Sequence, residues 1–334
     1  MATVFARLKE VASPTIGLGC MNLSHGYGNP VAEAEALRAL NEAFEMGYRH
    51  FDTATLYGAT ANERVVGKAL ASKRHEILLA SKCGMAMDPE LGKKVIDGRP
   101  ETIRRQCEES LERLRTDHLD LYYLHRLDRN VPIEESVGAL GRLVEEGKVR
   151  AIGLSEVSAA TLRRARAEHA IAAVQSEYSL WTRNPEIALI DACREADTAM
   201  VAFSPLGRGF LAGAVTEATQ LTENDVRRGM PRFSAENLPH NLRQLEKLKA
   251  IASEQEVTTG QLALAWLKAQ GNDVIPIPGT RSIAHMRENL AAEELHLDAD
   301  TLERLSELLT PDQVAGARYS EALQAEIDTE EFRK

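Results

Sequence analysis

The sequence predicts a (β/α)8 TIM barrel, and three observations support this: short apolar runs, amphipathic segments between them, and polar residues that end the runs. The runs contain few polar residues, which is typical of strands buried on both faces of a parallel sheet. The segments between them place apolar residues at helical spacing. An alternation of strand and helix that repeats eight times indicates an α/β fold.

Eight runs are interpreted as barrel strands, at residues 15–20, 48–52, 77–82, 119–125, 149–155, 172–175, 200–204 and 274–277. An open doubly wound sheet is the alternative, but such a sheet carries a Gly-x-Gly-x-x-Gly turn after its first strand. Residues 17–22 read GLGCMN and lack the third glycine. Residues 207–212 match Gly-x-Gly-x-x-Ala, but no strand with an acidic end follows about 20 residues later. The closed barrel is therefore favoured.

Two of the segments between strands illustrate the helical pattern. In the first, Leu37 and Phe44 fall on one face, and Gly47 follows as a C-terminal stop. In the fourth, Pro132 occupies a first-turn position and Gly147 follows the last turn. Both glycines directly precede a predicted strand, so we expect two short connections of the same kind.

The remaining segments are arranged around this barrel, which we expect to form one domain over residues 1–334. Residues before 15 are predicted to form a short hairpin at the barrel bottom. Residues 206 to about 240, after the seventh strand, are too long for an ordinary βα connection. The glycines and prolines of this segment favour an irregular loop there: Gly213, Gly229, Pro231 and Pro239. We expect this loop to bind a ligand or to act as a lid. The polar tail after residue 309 is predicted to pack as a helix or to drape over the barrel.

The composition and net charge of the chain limit the kinds of partner that it is expected to bind. The chain has 334 residues, 44% of them hydrophobic, and a formal net charge of −10. Proteins that bind nucleic acid or an anionic membrane normally have a basic excess, so neither partner is expected. No window is apolar enough for a membrane span and the N-terminus lacks the apolar core of a signal peptide, so we expect a cytoplasmic protein. The four cysteines form no Cys-x-x-Cys motif and are interpreted as reduced thiols. The sequence does not indicate an oligomeric state.

The candidate catalytic residues stand where strands end. Asp52, Lys82 and His125 terminate the second, third and fourth runs, and Tyr57 follows Asp52 in a short loop. Catalytic groups of a (β/α)8 barrel lie at the carboxyl ends of its strands, which meet at one mouth. The next three strands also end in polar residues, namely Ser155, Gln175 and Ser204.

These residue types suit the reduction of a carbonyl group. A tyrosine donates a proton poorly because its ordinary pKa is about 10, and an ammonium such as that of Lys82 lowers this pKa. Asp52 would keep Lys82 charged and in place, and His125 would orient the carbonyl by a hydrogen bond. The set fits acid-assisted carbonyl reduction with hydride from a cofactor.

Other interpretations of the same residues remain open. A single Asp or Lys at a strand end is more often a structural ion pair, and a single His is more often a core residue. Lys82 as a Schiff-base nucleophile would indicate a lyase or isomerase, although Asp52 would hold the lysine protonated. The nine histidines form no His-Glu-x-x-His motif, so no metal is expected. No Gly-x-Ser-x-Gly elbow surrounds Ser155 or Ser204, which disfavours a serine hydrolase.

At these residues the sequence resembles the aldo-keto reductase superfamily, over about residues 15–292. The matching stretches are GLGCMNLSHGYG (17–28), GYRHFDTATLYG (47–58), LLASKCG (78–84), LDLYYLHRLD (119–128), VRAIGLSE (149–156), VQSEYSLWTR (174–183), AFSPLGRGFLAG (202–213) and PIPGTRSIAHMRENLAA (276–292). The resemblance is to the bacterial and plant branch with a Gly-Thr-Arg cofactor motif. It implies an NADPH-dependent oxidoreductase of the class that acts on CH–OH donors, which reduces aldehydes or ketones to alcohols.

The resemblance also implies roles for individual residues. Asp52, Tyr57, Lys82 and His125 match a catalytic tetrad in which Tyr57 is the acid. Ser155 and Gln175, with Asp52 beside them, match residues at the nicotinamide carboxamide, and Tyr178 matches the aromatic on which the nicotinamide ring stacks. Ser204, Leu206, Gly207 and Gly209 match the loop over the pyrophosphate, and Thr280, Arg281, Glu288 and Asn289 match the part that grips the adenosine end. The further implied cofactor contacts are Met21, Asn22, Pro205, Leu211, Gly279 and His285.

The chain departs from this pattern at three places. Glu156 stands where the family often has Asn, Gly279-Thr280 where many members have Lys-Ser, and His285 where many have Arg. The resemblance therefore assigns the cofactor phosphate mainly to Arg281, Ser282 and Thr280. Some relatives of this fold are cofactor-loaded regulatory subunits of channels. We expect no N-terminal docking segment here, which disfavours that alternative.

Overall fold

The computed structural model describes residues 16–332 except Pro89 and Ala218. Its main sheet has eight strands, each parallel to its neighbours. Hydrogen bonds from Gly17 N to Pro276 O (2.9 Å) and from Gly19 N to Pro278 O (3.2 Å) join the two edges, so the barrel closes. The strands are β1 (Leu18–Gly19), β2 (His50–Asp52), β3 (Leu78–Cys83), β4 (Leu121–Leu124), β5 (Ile152–Ser155), β6 (Ala173–Glu177), β7 (Ala199–Phe203) and β8 (Val274–Ile277).

Helices surround the barrel, and the predicted fold class is confirmed. Within the described residues they are α1 (Glu33–Met46), α2 (Ala61–Leu70), α3 (Pro100–Leu114), α4 (Ile133–Glu145), α5 (Ala159–Glu168), α6 (Leu189–Glu195), α7 (Leu238–Glu254), α8 (Thr259–Ala269), α9 (Ile283–Ala291), α10 (Ala299–Leu308) and α11 (Glu321–Gln324). None of these helices is both long enough and apolar enough to span a membrane.

The core has two layers, and strand alternation separates them. In β3, Leu78 and Ala80 point into the barrel, where they pack with inward-facing residues of other strands such as Leu121 and Val201. Leu79 points outward into the larger core between the sheet and the helices. The wide outer layer is built from apolar helix faces such as that of α1, where Leu40 is fully buried. Gly47 ends α1 in the left-handed region, at φ 113°, as predicted.

Several predicted bounds are corrected. Helix α4 begins at Ile133, so Pro132 is the residue before its first turn. Pro239 lies in the first turn of α7 and not in the long loop, because that loop ends at residue 237. The loop itself contains three short 3-10 helices, at Gly207–Gly209, Val226–Gly229 and Pro231–Phe233. The predicted N-terminal hairpin lies outside the described residues.

Two features add to the barrel near its mouth, and the first of them was not predicted. An antiparallel hairpin, Met85–Asp88 with Lys93–Ile96, follows β3 directly. Within the described residues, the tail after residue 309 contains a 3-10 helix at Pro311–Gln313 and the four-residue α11, and its Tyr319, Glu326 and Ile327 reach the mouth of the barrel. Both features add walls above the strand ends, where the candidate site lies.

Candidate active site

A cavity of about 750 Å3 opens at the carboxyl ends of the barrel strands. Most of the residues predicted to form the site line it: Met21, Asn22, Asp52, Tyr57, His125, Ser155, Gln175, Ser204, Pro205, Leu206, Gly209, Gly279, Thr280, Arg281, His285, Glu288 and Asn289. Lys82 lies just outside the lining and contacts it through Tyr57. Tyr178, Gly207 and Leu211 do not line the cavity.

Lys82 organises the floor of the cavity. Its side chain is fully buried, and its ammonium forms an ion pair with Asp52 Oδ1. It also donates to Thr53 O at 2.8 Å and to the Tyr57 hydroxyl at 3.4 Å. An ammonium has three N–H donors, so these three acceptors hold Lys82 in one orientation. Gln175 Nε2 in turn donates to Asp52 Oδ2 at 2.8 Å.

Burial and charge set the protonation of these groups. Burial alone would lower the pKa of Lys82, but Asp52 and Tyr57 outweigh it and raise the pKa above its ordinary value. Burial lowers the pKa of His125 well below its ordinary value, and nearby cations lower it further. Burial raises the pKa of Tyr57, and Lys82 opposes this rise without cancelling it. Lys82 thus lowers the pKa of Tyr57 as expected, but burial has the larger effect, so the net pKa lies above its ordinary value.

The resulting states suit proton donation. Lys82 is charged, His125 is neutral, and Tyr57 keeps its proton at neutral pH. The ring of Tyr57 meets that of His125 edge to face, with centroids 5.9 Å apart. A carbonyl oxygen between them can therefore accept a hydrogen bond from each. Lys82 as a Schiff-base nucleophile is disfavoured, since its ammonium is paired and has no free electron pair.

The structure corrects the role in nicotinamide stacking that the resemblance implies for Tyr178. It follows Gln175 by three residues, so strand alternation turns it away from the barrel interior. Its side chain is fully buried outside the barrel, where it meets Trp266 edge to face and donates to Glu186 at 2.9 Å. Phe203, at the end of β7, lines the cavity instead. Counting in steps of two along each strand would have selected Phe203.

The long loop crosses the cavity mouth and attaches to the loop after β1. Val226 N donates to Gly26 O at 2.9 Å, and Tyr27 forms an antiparallel bridge with Asp225. Arg227 pairs with Asp225 at 2.6 Å and lies 5.2 Å above the Tyr27 ring. These contacts favour the interpretation of the loop as a cover over a bound ligand.

Gly207 and Leu211 support this loop from beneath. Gly207 has φ +55°, and a Cβ there would lie 2.9 Å from Trp181 Cε3. Leu211 is fully buried in the outer core. Gly209 is the glycine of this turn that lines the cavity. Gly207 and Leu211 therefore shape the loop without contributing to the cavity wall.

The far end of the cavity is a tight turn that leads into a helix. At Gly279, a Cβ would lie 2.6 Å from Asn22 Oδ1 and 3.1 Å from Gly19 O, so only glycine fits. Ser282 caps α9 and accepts from His285 N at 3.4 Å. The backbone thus presents a helix N-terminus beside the turn, an arrangement that suits an anionic group.

Arg281 lies in this turn and is exposed. Its Nη1 donates to Asn29 O at 3.4 Å, and no carboxylate among the described residues pairs with it. Glu288 is held at the wall by Thr258, whose hydroxyl donates to it at 2.6 Å. Asn289 is buried beside Glu288 in α9.

The hairpin and the tail supply lining residues that sequence reasoning missed. Lys94 of the hairpin pairs with Glu326 of the tail at 2.5 Å, so the two segments meet across the mouth. Tyr319 and Ile327 of the tail also line the cavity. His25, from the loop after β1, stacks on Tyr57 with ring centroids 6.0 Å apart. Of these residues, only His25 lies in one of the stretches that resemble the aldo-keto reductase superfamily, residues 17–28.

A buried charge cluster anchors the tail. Arg318 forms ion pairs with Glu156, at the end of β5, and with Glu177 of β6. Arg208, from the long loop, pairs with Glu177 at 2.7 Å and donates to the Tyr319 hydroxyl at 2.9 Å. All four charged side chains are at most 9% exposed. Glu156, noted above as a departure from the family pattern, thus holds the tail in place.

No group of His, Cys, Asp and Glu in the described part of the chain has the arrangement of a metal site.

Comparison with known proteins gives a consistent result. The sequence pattern of the Aldo/keto reductase family matches residues 15–310. A protein of Glycine max named probable aldo-keto reductase 1 is 46% identical over 310 residues, which cover 92% of this chain and 89% of the relative. The aldo-keto reductase yakc [NADP(+)] of Schizosaccharomyces pombe is 42% identical over 311 residues, covering 92% and 91% of the two chains.

Solved structures resemble the chain over most of its length. A glycerol dehydrogenase from Gluconobacter oxydans superposes with a TM-score of 0.81 at 27% identity, over 88% of this chain and 91% of the other. An aldo/keto reductase from Klebsiella pneumoniae, solved in complex with NADP and acetate, gives a TM-score of 0.68 at 28% identity, over 92% and 94%.

Proposed function

This chain belongs to the Aldo/keto reductase family, and we propose that it reduces aldehydes or ketones to alcohols with NADPH. One observation carries the proposal. The ammonium of Lys82, paired with Asp52, donates to the hydroxyl of Tyr57 at the floor of a cavity that His125 also lines. A positioned acid next to a neutral hydrogen-bond donor is the arrangement that carbonyl reduction requires.

The cavity fits NADPH at both ends. Ser155, Gln175 and Phe203 line it beside Tyr57, where they would hold the nicotinamide. Arg281 and the N-terminus of α9 line the other end, where they would hold the 2′-phosphate. A relative named for NADP(+) and a similar structure containing NADP support the choice of cofactor.

The bound cofactor would supply a hydride to the carbonyl carbon. His125, neutral in this site, would orient the carbonyl oxygen by donating a hydrogen bond to it. Tyr57 would transfer its proton to that oxygen as negative charge develops there. Lys82 would stabilise the phenolate that remains, and Asp52 keeps Lys82 charged throughout.

The first test is turnover by the purified protein. We expect NADPH to be oxidised when benzaldehyde or another simple carbonyl compound is added, and NADH to be a poorer donor. Loss of nicotinamide absorbance and recovery of the alcohol measure the reaction. Tight binding of NADPH without turnover of any carbonyl compound in a broad panel would favour a cofactor-loaded regulatory subunit instead.

Arg281→Ala should weaken NADPH binding selectively. A charge-assisted hydrogen bond to a phosphate contributes about 1.5–3 kcal/mol, so the Kd for NADPH should rise about tenfold or more. NADH lacks the 2′-phosphate and should bind the variant nearly as well as the wild type. Titration of protein fluorescence or of nicotinamide emission measures both affinities.

Arg287→Ala is the matched control. Arg287 is exposed on α9, the helix that follows Arg281, but it does not line the cavity. Its replacement should leave both affinities unchanged. Equal losses for NADPH and NADH in Arg281→Ala would remove Arg281 from phosphate recognition.

A further inference from the structure

Five lysine and arginine side chains line the cavity within the described residues, and three of them are paired with carboxylates. The pairs are Lys94–Glu326, Arg208–Glu177 and Arg227–Asp225, at 2.5–2.7 Å. The other two, Arg126 and Arg281, have no carboxylate partner among those residues. A cation in a cavity without a local counter-charge is available to an anionic ligand.

These two arginines lie at opposite ends of the cavity. Arg281 is at the far turn, where the proposed cofactor would place its 2′-phosphate. Arg126 directly follows His125 and hydrogen-bonds to Ser155, so it lies at the reacting end. The proposed cofactor has no anionic group at its nicotinamide. The charge of Arg126 is therefore available to an anionic group of the second ligand, the carbonyl substrate.

Two nitrogens on one edge of this guanidinium have no hydrogen-bond partner among the described residues. Arg126 Nη1 donates to His125 O at 2.7 Å and to Ser155 Oγ at 3.2 Å, which fixes the plane of the group. Nε is buried and, like Nη2, makes no hydrogen bond to any residue that the structure describes. Two parallel N–H donors on one edge match the two oxygens of a carboxylate.

The position of Arg126 relative to Tyr57 and His125 limits how far a substrate carboxylate bound to Arg126 can lie from the reacting carbonyl. Arg126 directly follows His125 and donates from Nη1 to Ser155 Oγ at 3.2 Å, and both of these residues line the cavity together with Tyr57. An anion on Arg126 would therefore lie next to the reacting carbonyl. Leu56 and Met85, which pack with Tyr57, and Ile327 of the tail give the cavity apolar surface.

We propose that Arg126 binds a carboxylate adjacent to the reacting carbonyl, so that the preferred substrates are 2-oxo acids with an apolar body. This inference rests on the proposed reductase function and adds the substrate class to it. Arg126 is the specificity-determining residue in this scheme. The reaction itself is unchanged: hydride goes to the carbonyl carbon and a proton to the carbonyl oxygen, while the carboxylate only binds.

The test compares phenylglyoxylate with its methyl ester, a pair that differs in charge at the group in question. For Arg126→Gln, the ratio of kcat/KM for the acid to that for the ester should fall about tenfold or more, the loss expected for a charge-assisted hydrogen bond. Arg126→Lys keeps the charge but not the paired donors, and should lose less. Because each ratio is internal to one variant, intrinsic reactivity and folded fraction cancel.

Arg281→Gln is the control cation, since it should raise the KM for NADPH and leave the acid-to-ester ratio unchanged. An unchanged ratio in Arg126→Gln, or a rise in the KM for NADPH without a change in the ratio, would overturn the inference and assign Arg126 to positioning Ser155. Wild-type turnover of benzaldehyde checks the reductase function separately. If the wild type reduces neither benzaldehyde nor phenylglyoxylate, both proposals fail together.

Discussion

Replacing Tyr57 by phenylalanine should lower kcat by at least about 10²-fold, the lower end for a positioned general acid. The substitution removes one hydroxyl and keeps the ring that packs against His25 and His125. Hydride transfer to a carbonyl leaves an alkoxide that must take a proton, and no other acid in the described site is placed to give one. Lys82 donates to the same hydroxyl but is held on Asp52 and Thr53.

Cofactor affinity should change by no more than a few-fold in Tyr57→Phe, because the hydroxyl is bound to Lys82 and has no proposed cofactor contact. Tyr178→Phe is the matched control, since it removes a tyrosine hydroxyl that lies outside the cavity and bonds to Glu186. It should keep near-normal turnover. Steady-state kinetics, with NADPH binding and circular dichroism on each variant, make the comparison. A folded, NADPH-binding Tyr57→Phe with near-normal kcat would contradict the mechanism.

The barrel and the reacting centre were accessible from sequence because both depend on local order along the strands. Asp52, Lys82 and His125 each end an apolar run, and parallel pairing brings the strand ends together. Side chains along a strand point alternately inward and outward. Each of these three residues lies two positions after an inward-facing residue, so all three face the barrel mouth. The same alternation predicts that Phe203 faces the cavity and that Tyr178 does not.

Other parts of the site could not be predicted because they depend on contacts between segments far apart in sequence. Glu326 meets Lys94 across 232 positions, and Arg318 meets Glu156 across 162. No periodicity in a polar tail indicates which buried carboxylate it will pair with. The raised pKa of Tyr57 could not be predicted either, because it depends on how deeply the folded chain buries the hydroxyl.

Arg318→Met should destabilise the protein by about 3–5 kcal/mol at neutral pH, the usual cost of removing one partner from a buried ion pair. Arg318 is paired with both Glu156 and Glu177, and all three side chains are at most 4% exposed. Methionine fills much of the space but leaves Glu156 without its cation. The midpoint of urea unfolding measures the loss. The KM for the carbonyl substrate should also rise, because Tyr319 and Ile327 of the same tail line the cavity.

The pH dependence gives this prediction a distinct signature. Burial would raise the pKa of Glu177, but Arg208, Arg318 and Arg232 outweigh it and hold the pKa at about 2. A carboxyl with a lowered pKa stabilises the fold above its unfolded pKa of about 4.3, and this contribution is lost as the pH falls toward the folded value. Arg318→Met raises the pKa of Glu177. The difference in stability between wild type and variant should therefore shrink as the pH falls from about 4.3 toward 2.

Two further variants separate the buried cluster from a general effect of removing arginine. Arg304→Met removes an exposed pair with Glu254 and should leave the unfolding midpoint almost unchanged. Glu156→Gln added to Arg318→Met should recover part of the lost stability, because the unpaired carboxylate is the main source of the cost. If Arg318→Met unfolds at the wild-type urea concentration and binds substrate with the same KM, the cluster does not anchor the tail. A loss of stability that Glu156→Gln fails to relieve would place the cost in packing around Tyr319 and not in charge.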